Sequence, residues 1–366
     1  MKKRVLVLGC TGSIGSNTLD IIRNMSDTFE VAGLYANKSK SEIEHLAQEF
    51  NCPYALYSEN GEEGLKKLIK ESGADIAVNG VAGAAGLMPS VYVLEEGIDL
   101  ALANKETVVM AYPLIKQLAT AHNARILPVD SEHSAIFNLV ERYGKENIDT
   151  LIITASGGPF RELPKEKLAA VSVEDALNHP TWKMGKKITL DSADLANKGL
   201  EVIEACRLFG FTSDKVEVVV HPQSLIHSMI RTKDGELYAQ ISEPDMKHPI
   251  LSALTWSDVL PNYLSRFDIT KHSFSFYPPR FDDFPLLKYA FEAAQRDKSA
   301  PIAFNAANEV AAYAFLDKKC HFLDIPAVVR RVLDESWDKI PSSITEVLEE
   351  DKKARQIAQK ILGNIK

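Results

Sequence analysis

The sequence is short of cysteine and lacks long apolar and long basic runs, although it has 366 residues. Its four cysteines, Cys10, Cys52, Cys206 and Cys320, share no close spacing, which argues against a disulfide framework or a cysteine-based zinc site. No apolar run is long enough to span a membrane, and the basic start of the chain precedes an apolar segment too short for a secretion signal. The net charge of −8, without a basic tract, argues against nucleic acid as a partner.

The remaining composition is that of an ordinary soluble protein, with 45% hydrophobic and 25% charged residues. Scattered cysteines fit the reducing cytoplasm. The length predicts two or three domains with buried cores. No internal repeat or low-complexity tract is present, so the function must be sought in local motifs.

A glycine-rich turn lies close to the start of the chain. An apolar strand is predicted over 4–8, the glycines of 9–15 follow with the spacing G-x-x-G-x-x-G, and a helical pattern covers 16–25. A strand, a glycine turn and a helix in this order can bind the pyrophosphate of a dinucleotide at the helix N-terminus. A plain tight turn is the alternative interpretation.

The end of the next predicted strand, 30–35, bears on the choice of cofactor. NAD sites commonly have an acid here that holds the ribose 2′-hydroxyl. This sequence has no acid here, and Lys38 and Lys40 stand near Asn37. Lysines attract a 2′-phosphate, which favours NADP(H). A solvated surface turn is the alternative.

Further strands are predicted over 74–79 and 98–103, and a small-residue loop follows the first of them. The second strand ends in Asn104, Lys105 and Glu106. Polar residues at the carboxyl ends of an open α/β sheet are where ligands bind. Lys105 could therefore reach a substrate or cofactor oxygen, and Glu106 a ribose hydroxyl. A helix start with Asn104 as N-cap is the alternative.

Two acids follow the apolar segment over 124–129, namely Asp130 and Glu132. If the chain is still extended there, both carboxylates point to the same face. At about 4 Å they repel by roughly 4 kcal/mol at an effective dielectric constant of about 20, so a site that keeps both ionised needs a cation. Oxygen ligands suit Mg²⁺ or Mn²⁺. The alternative is that both acids cap the helix predicted over 134–140.

The middle of the chain contains two segments with the character of binding loops. A strand over 149–154 opens into Ser156 and two glycines, which can form a phosphate-binding nest of N–H groups. The loop over 177–187 contains His179, Trp182 and Met184, and apolar residues on such a loop suggest a lid that excludes water. A surface loop anchored by a buried tryptophan is the alternative.

A predicted helix over 195–209 follows a segment, 188–192, that is predicted to end a strand at Ser192. Near the start of the helix stand three polar residues: Asn197, Lys198 and Glu201. The spacing i, i+4 places Asn197 and Glu201 on one face. Glu201 could be a third carboxylate for the cation and Lys198 a partner for phosphate or an oxyanion. An exposed lysine–glutamate helix is the alternative.

The last third of the chain begins with three apolar segments, over 216–220, 226–231 and 238–241. These predict a mixed or antiparallel sheet that could also serve as a dimer surface. Residues 271–285 are rich in proline, phenylalanine and aspartate and predict a linker or arm. The chain from 284 on has helical periodicity and predicts a small helical bundle.

Taken together, the motifs resemble those of the 1-deoxy-D-xylulose 5-phosphate reductoisomerase family. The similar blocks occur in the family's order and extend over nearly the whole chain: 9–15, 104–106, 128–137, 156–162, 179–185, 191–201, 221–228, 243–246 and 305–309. Cys10 departs from the small serine or alanine that is usual in the first block, and the turn over 36–39 differs among members.

The resemblance implies an α/β fold with a Rossmann-like NADP-binding domain over 1–130. It further implies a central α/β catalytic and dimerisation domain with a mixed sheet over 131–255, with a lid loop at about 177–187. A linker over 256–283 and a C-terminal helical bundle over 284–366 complete the expected organisation. The expected protein is a cytoplasmic homodimer that binds neither nucleic acid nor membrane.

The implied activity is an NADPH-dependent and divalent-metal-dependent rearrangement and reduction. It converts 1-deoxy-D-xylulose 5-phosphate to 2-C-methyl-D-erythritol 4-phosphate in non-mevalonate isoprenoid precursor biosynthesis. Mg²⁺ or Mn²⁺ is expected on Asp130, Glu132 and Glu201. The residues implied in catalysis are Lys105, Asp130, Glu132, Lys198 and Glu201.

The resemblance also implies the ligand contacts. Substrate is expected to meet Lys105, Ser131, Glu132, Ser156, His179, Ser192, Asn197, Lys198 and Glu201. NADPH is expected to meet Thr11, Gly12, Ser13, Ile14, Asn37, Lys38, Asn104, Glu106 and Gly185.

Two rival functions remain open at this point. An NADP-dependent semialdehyde dehydrogenase also begins with a glycine-rich turn, but it needs a nucleophilic cysteine. Cys206 is predicted in mid-helix and Cys10 in the cofactor turn, and both are poor places for one. A non-catalytic NADPH-binding regulator could use the same fold, since a fold alone does not fix a function.

Overall fold

Alternating strands and helices form the first part of the chain, and the computed structural model describes residues 1–182 and 184–365. In chain order the elements of this part are β1 (Lys3–Leu8), α1 (Ser13–Asn24), β2 (Phe29–Ala36), α2 (Lys40–Phe50), β3 (Tyr54–Leu56), α3 (Tyr57–Ser72), β4 (Ile76–Asn79), α4 (Leu87–Glu95), β5 (Asp99–Leu102), α5 (Lys105–Ala121), β6 (Ile126–Pro128) and α6 (Ser131–Tyr143).

The second part contains four further strands and eight further helices among the described residues. They are β7 (Ile148–Ala155), α7 (Val173–Ala176), α8 (Lys186–Ala193), α9 (Ala196–Phe209), β8 (Val216–Val220), β9 (Ile226–Thr232), β10 (Leu237–Ile241), α10 (Lys247–Thr255), α11 (Pro285–Arg296), α12 (Ala300–Leu316), α13 (Asp324–Leu333) and α14 (Ile344–Leu362). Short 3₁₀ turns lie at Ala84–Gly86, Lys145–Asn147, Lys165–Ala170, Ser213–Lys215 and Ile269–Lys271.

The chain divides into two compact units. The first consists of Met1–Thr107, Tyr112–Ser134 and Asp245–Arg266, and the second of Val108–Ala111, Ala135–Pro244 and the chain from Phe267 on. The finer division into four segments stays a prediction. Lys183, in the predicted lid, and Lys366, at the end of the predicted helical domain, lie outside the described residues.

The first unit is built on a parallel sheet of six strands in the order β3-β2-β1-β4-β5-β6. Its central strand β1 is an unbroken apolar run, and the side chains from Val5 to Leu8 are all 0% exposed. Such runs are typical of parallel strands, because helices cover both faces of the sheet. The strand order reverses between β1 and β4, which makes the carboxyl ends of these two strands the expected ligand crevice.

The second unit contains a mixed sheet of four strands in the order β10-β9-β7-β8. β7 is parallel to β8 and antiparallel to β9, and β9 is antiparallel to β10. β7 is buried along almost its whole length, whereas every residue of β10 at this edge of the sheet is exposed or half-buried. The sequence prediction of a mixed sheet is therefore confirmed.

Helices α11 to α14 complete the second unit, with α12 packed between its neighbours. α12 is buried over most of its length, since Phe304 and the alanines around it are inaccessible to solvent. Trp337 is also buried and donates its indole N–H to the carbonyl oxygen of Val332 at 2.7 Å. The predicted helical bundle is confirmed, and with it the predicted fold class.

One close approach joins α9 to this bundle. A Cβ atom on Gly199 would lie 2.7 Å from the Cβ of Ala290 on α11 and 3.3 Å from the Phe304 ring on α12. Only glycine allows the backbone of α9 to come so near. Helix α9, which carries Lys198 and Glu201, therefore packs directly on α11 and α12.

The segment over 188–192 corrects a sequence prediction, because it lies in α8 and not at the end of a strand. The apolar residues Ile188 and Leu190 alternate with polar ones, but so short a window fits either element. In the structure, the Nζ of Lys187 lies 2.6 Å from an oxygen of Asp191. This i, i+4 contact belongs to a helix.

No helix within residues 1–182 and 184–365 is both long enough and apolar enough to cross a membrane. The longest of them, α14, carries charged residues along its length and packs on α12 and α13.

The glycine turn after β1 depends on a close backbone contact. A Cβ atom on Gly15 would lie 2.4 Å from the carbonyl oxygen of Gly9 and 2.5 Å from the Cα of Cys10. Backbone atoms cannot move aside as a flexible side chain can, so a larger residue here would push α1 away from β1.

We therefore expect Gly15→Ala to lower the free energy of unfolding by about 1–3 kcal/mol, the cost of overpacking a close contact. The control is Gly363→Ala, because a Cβ there would meet Gln359 at an ordinary 3.5 Å. Urea unfolding of both variants measures the effect. Equal stabilities of the two variants would contradict the assigned contact.

Candidate active site

The carboxyl end of β1 carries the first group of predicted site residues. The N–H of Gly12 donates to the carbonyl oxygen of Gly9 at 3.0 Å, and α1 begins one residue later at Ser13. The N–H of Gly80, in the small-residue loop after β4, donates to the carbonyl oxygen of Leu8 at 2.9 Å. The two loops thus lie side by side where the strand order reverses. The exposed N-terminus of α1 can hold an anionic group such as a pyrophosphate.

The turn after β2 leaves Asn37 and Lys38 exposed. Lys40 also lies there, but its ammonium group is 2.8 Å from a carboxylate oxygen of Glu59 on α3, so it is engaged in an ion pair. Of the two lysines that favour a 2′-phosphate, Lys38 is therefore the better placed.

Asn104 at the end of β5 is buried and acts as the N-cap of α5. Its Oδ1 accepts from the N–H of Thr107 at 3.0 Å, and its Nδ2 donates to the carbonyl oxygen of Gly83 and to Glu106. The interpretation as a helix start is thus correct for the backbone. The Asn104 side chain also connects the loop after β4 to α5.

The acidic pair does not lie on an extended segment, and this expectation is wrong. β6 ends at Pro128, α6 begins at Ser131, and the carbonyl oxygen of Asp130 accepts from the N–H of Ser134 at 2.8 Å. Asp130 is therefore at the N-cap position, and Glu132 is in the first helical turn. The helix N-terminus favours both negative charges, whatever else they bind.

Asp130 is held by two cationic or polar neighbours in the same unit. Its Oδ2 lies 2.5 Å from the Nζ of the buried Lys105 and 3.7 Å from the Nδ1 of the buried His133. Burial alone would raise the pKa of Asp130, but the charge of Lys105 and the neighbouring His133 hold it far below its usual range. Next to it, the hydroxyl of Ser131 donates to Glu132 at 2.5 Å.

Three segments of the second unit meet at one imidazole ring. The Nε2 of His179 lies 3.0 Å from the hydroxyl of Ser156 and 3.1 Å from that of Ser192. The Nδ1 of His179 accepts from the N–H groups of Thr181 and Trp182. Burial lowers the pKa of His179, and a neutral ring that accepts at Nδ1 carries its proton at Nε2. The result is a small cluster of hydroxyl and N–H donors that can bind phosphate oxygens.

A second set of polar residues shares one face of α9, as the spacing predicts. The Nδ2 of Asn197 donates to one oxygen of Glu201 at 2.5 Å, and the ammonium group of Lys198 pairs with the other. Lys198 is 4% exposed and Glu201 1% exposed. The interpretation as an exposed lysine–glutamate helix is therefore wrong, and Glu201 is a buried carboxylate matched by one lysine.

The predicted lid shows a defined contact in its described part. The half-buried Trp182 meets the ring of His227 edge-on, with the ring centroids 6.4 Å apart. Met184 is half-buried, and the exposed Gly185 precedes the first turn of α8. Trp182 and Met184 follow His179 in the same loop, so this loop contributes both the imidazole ring of the cluster and the apolar residues beside it.

Sequence reasoning missed several residues of this region. His133 follows the acidic pair, and Asn79 at the end of β4 donates to Gly86 and Ser90 and so shapes the second loop. Asn79 could have been found as a polar residue that ends an apolar strand. Asp194 was also missed. Its Oδ1 accepts from the N–H of Ala196 at 2.9 Å, and it thereby holds the turn between α8 and α9.

Comparisons with known proteins agree over nearly the whole chain. Residues 5–60 and 55–112 match the family described as "1-deoxy-D-xylulose 5-phosphate reductoisomerase", and residues 126–209 and 241–357 match two C-terminal domains described for the same enzyme. A protein of Treponema denticola named 1-deoxy-D-xylulose 5-phosphate reductoisomerase is 50% identical, over 98% of this chain and 96% of its own length. The chain belongs to the 1-deoxy-D-xylulose 5-phosphate reductoisomerase family.

Solved structures of reductoisomerases have the same fold. The enzyme of Zymomonas mobilis in complex with NADPH is 38% identical, with a TM-score of 0.90 over 100% of both chains. A reductoisomerase in complex with NADPH, fosmidomycin and magnesium is 34% identical, with a TM-score of 0.91 over 99% of this chain and 98% of the other. A relative from Treponema pallidum is 47% identical over 98% of this chain and 96% of its own length.

The four cysteines of this reductoisomerase-family chain are unsuited to nucleophilic catalysis. Burial raises the pKa of Cys10 and Cys206 to about 12, and that of Cys52 and Cys320 to about 11. A thiol with such a pKa is almost entirely protonated at neutral pH, whereas the thiolate is the nucleophile. A semialdehyde dehydrogenase needs a nucleophilic cysteine, so these pKa values argue against that alternative.

The carboxyl group of Asp194 is an unusually weak acid, with a raised pKa. Burial, and next the negative charge of Asp191, raise its pKa well above the ordinary value, while Lys187 acts in the opposite direction. The folded chain therefore keeps a proton on Asp194 that the unfolded chain releases above its ordinary pKa of 3.8. Since the folded state binds more protons, this residue makes the free energy of unfolding fall as the pH rises.

We expect Asp194→Asn to remove this dependence. The stability of the variant relative to the unaltered chain should increase as the pH rises above the ordinary pKa of an aspartate, by up to about 1.4 kcal/mol per pH unit in the steepest part. Urea unfolding across this range measures it. Asp282→Asn, at an exposed residue, is the control and should follow the unaltered chain. A parallel pH dependence of Asp194→Asn and the unaltered chain would mean that Asp194 is ionised.

Proposed function

We propose that this chain catalyses the NADPH-dependent and divalent-metal-dependent rearrangement and reduction of 1-deoxy-D-xylulose 5-phosphate to 2-C-methyl-D-erythritol 4-phosphate, in non-mevalonate isoprenoid precursor biosynthesis. The observation that carries the proposal is a pair of carboxylate–lysine contacts in a chain of this family. Asp130 is matched by Lys105, and Glu201 by Lys198. Each contact pairs a carboxylate with an ammonium group, which favours the ionised form of the carboxylate.

NADPH is proposed to bind at the crevice between β1 and β4. The N-terminus of α1 supports this, because its free N–H groups suit the pyrophosphate. The contacts there would come from Thr11, Gly12, Ser13 and Ile14. Lys38 and Asn37 would meet the 2′-phosphate, and Asn104, Glu106 and Gly185 complete the proposed set. When bound, NADPH supplies the hydride, and the protein contributes orientation and electrostatics.

Mg²⁺ or Mn²⁺ is proposed to bind to Asp130, Glu132 and Glu201. Three carboxylates form a hard oxygen donor set, which suits these two ions better than softer metals. The metal, when bound, supplies a Lewis acid that stabilises negative charge on neighbouring substrate oxygens. An ion that neutralised the carboxylates would leave the ammonium groups of Lys105 and Lys198 to hold hydroxyl and carbonyl oxygens of the substrate, next to the hydroxyl of Ser131.

The phosphate of the substrate is proposed to bind to Ser156, His179, Ser192 and Asn197. The cluster of two hydroxyls on the Nε2 of His179 supports this assignment. The phosphate is remote from the carbons that react, so its binding energy can be used to orient the substrate and to close a loop over it.

The loop over 177–187 is proposed to act as the lid. Trp182 and Met184 present apolar surface next to the His179 cluster, and a closed apolar loop would keep water from a reactive aldehyde. The edge-on contact of Trp182 with His227 supports this proposal, because it gives the loop a surface to pack on. Other structures are named as complexes with fosmidomycin and magnesium, with and without NADPH.

Manganese as the metal, a homodimeric state and a cytoplasmic location are finer proposals. The dimer is supported by the edge of the mixed sheet, where Leu237 and Ile241 on β10 are 54% and 37% exposed, and by the exposed Tyr277 of the arm that pairs with β8. Light scattering of the purified chain would measure the oligomeric state. The four separate cysteines fit a reducing compartment.

The test is the oxidation of NADPH with 1-deoxy-D-xylulose 5-phosphate, with Mg²⁺ or Mn²⁺ and after chelation. We expect turnover only with a metal, and Glu201→Gln should lower kcat at least about a hundredfold while the Kd for NADPH stays nearly the same. The structural reason is that the amide cannot replace a carboxylate ligand, although it keeps the size of the side chain.

Glu217→Gln is the matched control, because Glu217 pairs with Arg231 on the mixed sheet and should leave kcat unaltered. Full turnover after chelation, or an unaltered kcat in Glu201→Gln, would overturn the assigned metal role. Tight NADPH binding without turnover in any metal would instead favour the non-catalytic regulator.

Trp182→Ala tests the lid. We expect kcat to fall about tenfold, because water reaches the site and the substrate is held less well. The melting temperature should change by less than about 3 °C, since Trp182 is only half-buried. Trp337→Phe is the contrasting control and should lower the melting temperature but leave kcat unaltered. If Trp182→Ala loses stability and keeps its kcat, Trp182 is a structural anchor.

A further inference from the structure

A cluster of buried polar side chains lies between α8 and α12 in the second unit, apart from the residues proposed to touch substrate, cofactor or metal. Its members are Lys187, Asp191, Asp194, Asn305 and Asn308. Asp191 is 1% exposed, Asp194 3%, and both asparagines 0%. A core helix rarely carries such residues without a reason, because burying polar groups is costly.

Asp191 is the centre of this cluster. One of its oxygens lies 2.6 Å from the Nζ of Lys187 on the preceding turn of α8. The other accepts from the Nδ2 of Asn308 on α12 at 3.0 Å. One oxygen of Asp191 therefore contacts α8 and the other contacts α12, so both helices fix the position of this side chain.

Asp194 fixes the turn that follows. Its Oδ1 accepts from the N–H of Ala196, the first residue of α9, and the intervening Leu195 has a left-handed backbone with φ of 63°. A non-glycine residue in this conformation is uncommon and needs support from its surroundings. The Asp194 carboxyl group supplies that support from within the same turn.

Several atoms of the cluster keep unused hydrogen-bonding capacity within residues 1–182 and 184–365. They are Oδ2 of Asp194, Oδ1 of Asn308 and both amide atoms of Asn305, all of them buried. An apolar residue of similar size would fill these positions at lower cost. Tight packing alone therefore does not account for polar side chains here.

The position of the cluster in the chain indicates its role. Ser192 directly follows Asp191 and contacts the Nε2 of His179 at 3.1 Å, and Asn197 is the second residue of α9, just after the Asp194 turn. We propose that Asp191, Asp194 and Asn308 are positioning residues that hold the segment from Ser192 to Asn197 in the geometry that binds the substrate phosphate. This inference rests on the phosphate site of the proposed function.

The charges of the cluster agree with this role. Lys187 balances the carboxylate of Asp191. Burial, and next the neighbouring Asp191, raise the pKa of Asp194, which disfavours a second negative charge in the cluster. A second buried negative charge beside the phosphate segment would repel a phosphate group.

The decisive variant is Asn308→Ala, which removes the donor from α12 to Asp191. We expect KM for 1-deoxy-D-xylulose 5-phosphate and the inhibition constant of inorganic phosphate to rise together by about tenfold, the usual effect of losing a hydrogen bond to a charged group. The value of kcat should change less than about threefold, and the Kd for NADPH should not change.

Glu309→Gln is the matched control on the next residue of α12. Glu309 pairs with Arg355 of α14 at 2.6 Å, so its loss loosens the helical bundle without touching Asp191. This variant should keep the KM and the phosphate inhibition constant of the unaltered chain, even if its melting temperature falls. A rise of both constants in Glu309→Gln would mean that loss of stability alone produces the effect.

A second pair of variants keeps the test valid if Asn308→Ala does not fold. Asp194→Asn retains the acceptor for Ala196 and should keep KM near that of the unaltered chain, whereas Asp194→Leu removes the acceptor and should raise KM and the phosphate constant about tenfold. Values within twofold of the unaltered chain in both Asn308→Ala and Asp194→Leu would overturn this inference alone. No turnover by the unaltered chain would overturn the proposed function instead.

Discussion

A buried carboxylate must be matched by a cation, by donors or by a proton, and this constraint shapes the candidate site of this reductoisomerase-family chain. Asp130 is matched by Lys105, Glu201 by Lys198 and Asp191 by Lys187. The pKa of the buried Asp194 is instead raised, which favours its protonated form. Two of the three lysines lie three or four residues from their acid on one helix, so correct folding of α8 and α9 already brings the charges together.

The fold could be predicted largely from local patterns. The apolar run of β1, its glycine turn and the repeated alternation of strands and helices predict a parallel sheet with covered faces, and the structure has one. The prediction of a strand over 188–192 was wrong, because five residues cannot distinguish helical from strand periodicity. The extended geometry of the acidic pair was wrong because the strand stops at Pro128 and a helix begins at Ser131, which agrees with the alternative of helix-capping acids.

Only part of the candidate site could be predicted from local patterns. The face of α9 with Asn197 and Glu201 follows from helical spacing, but burial of Glu201 depends on the packing of α9 on α11, which no local pattern reveals. The meeting of Ser156 and Ser192 on the ring of His179 joins distant parts of the chain, so only the tertiary structure, or likeness to a known family, could indicate it. No sequence pattern indicated the role of Asp194, because that role depends on a left-handed turn at Leu195.

Gly199 joins the helical bundle to the helix that carries two candidate site residues. At Gly199 the backbone of α9 packs directly on Ala290 and Phe304, because glycine has no side chain to separate them. Lys198 and Glu201 sit on the same helix within two residues of that contact. A shortened chain that stopped before Pro285 would therefore lose the surface on which the helix of Lys198 and Glu201 packs.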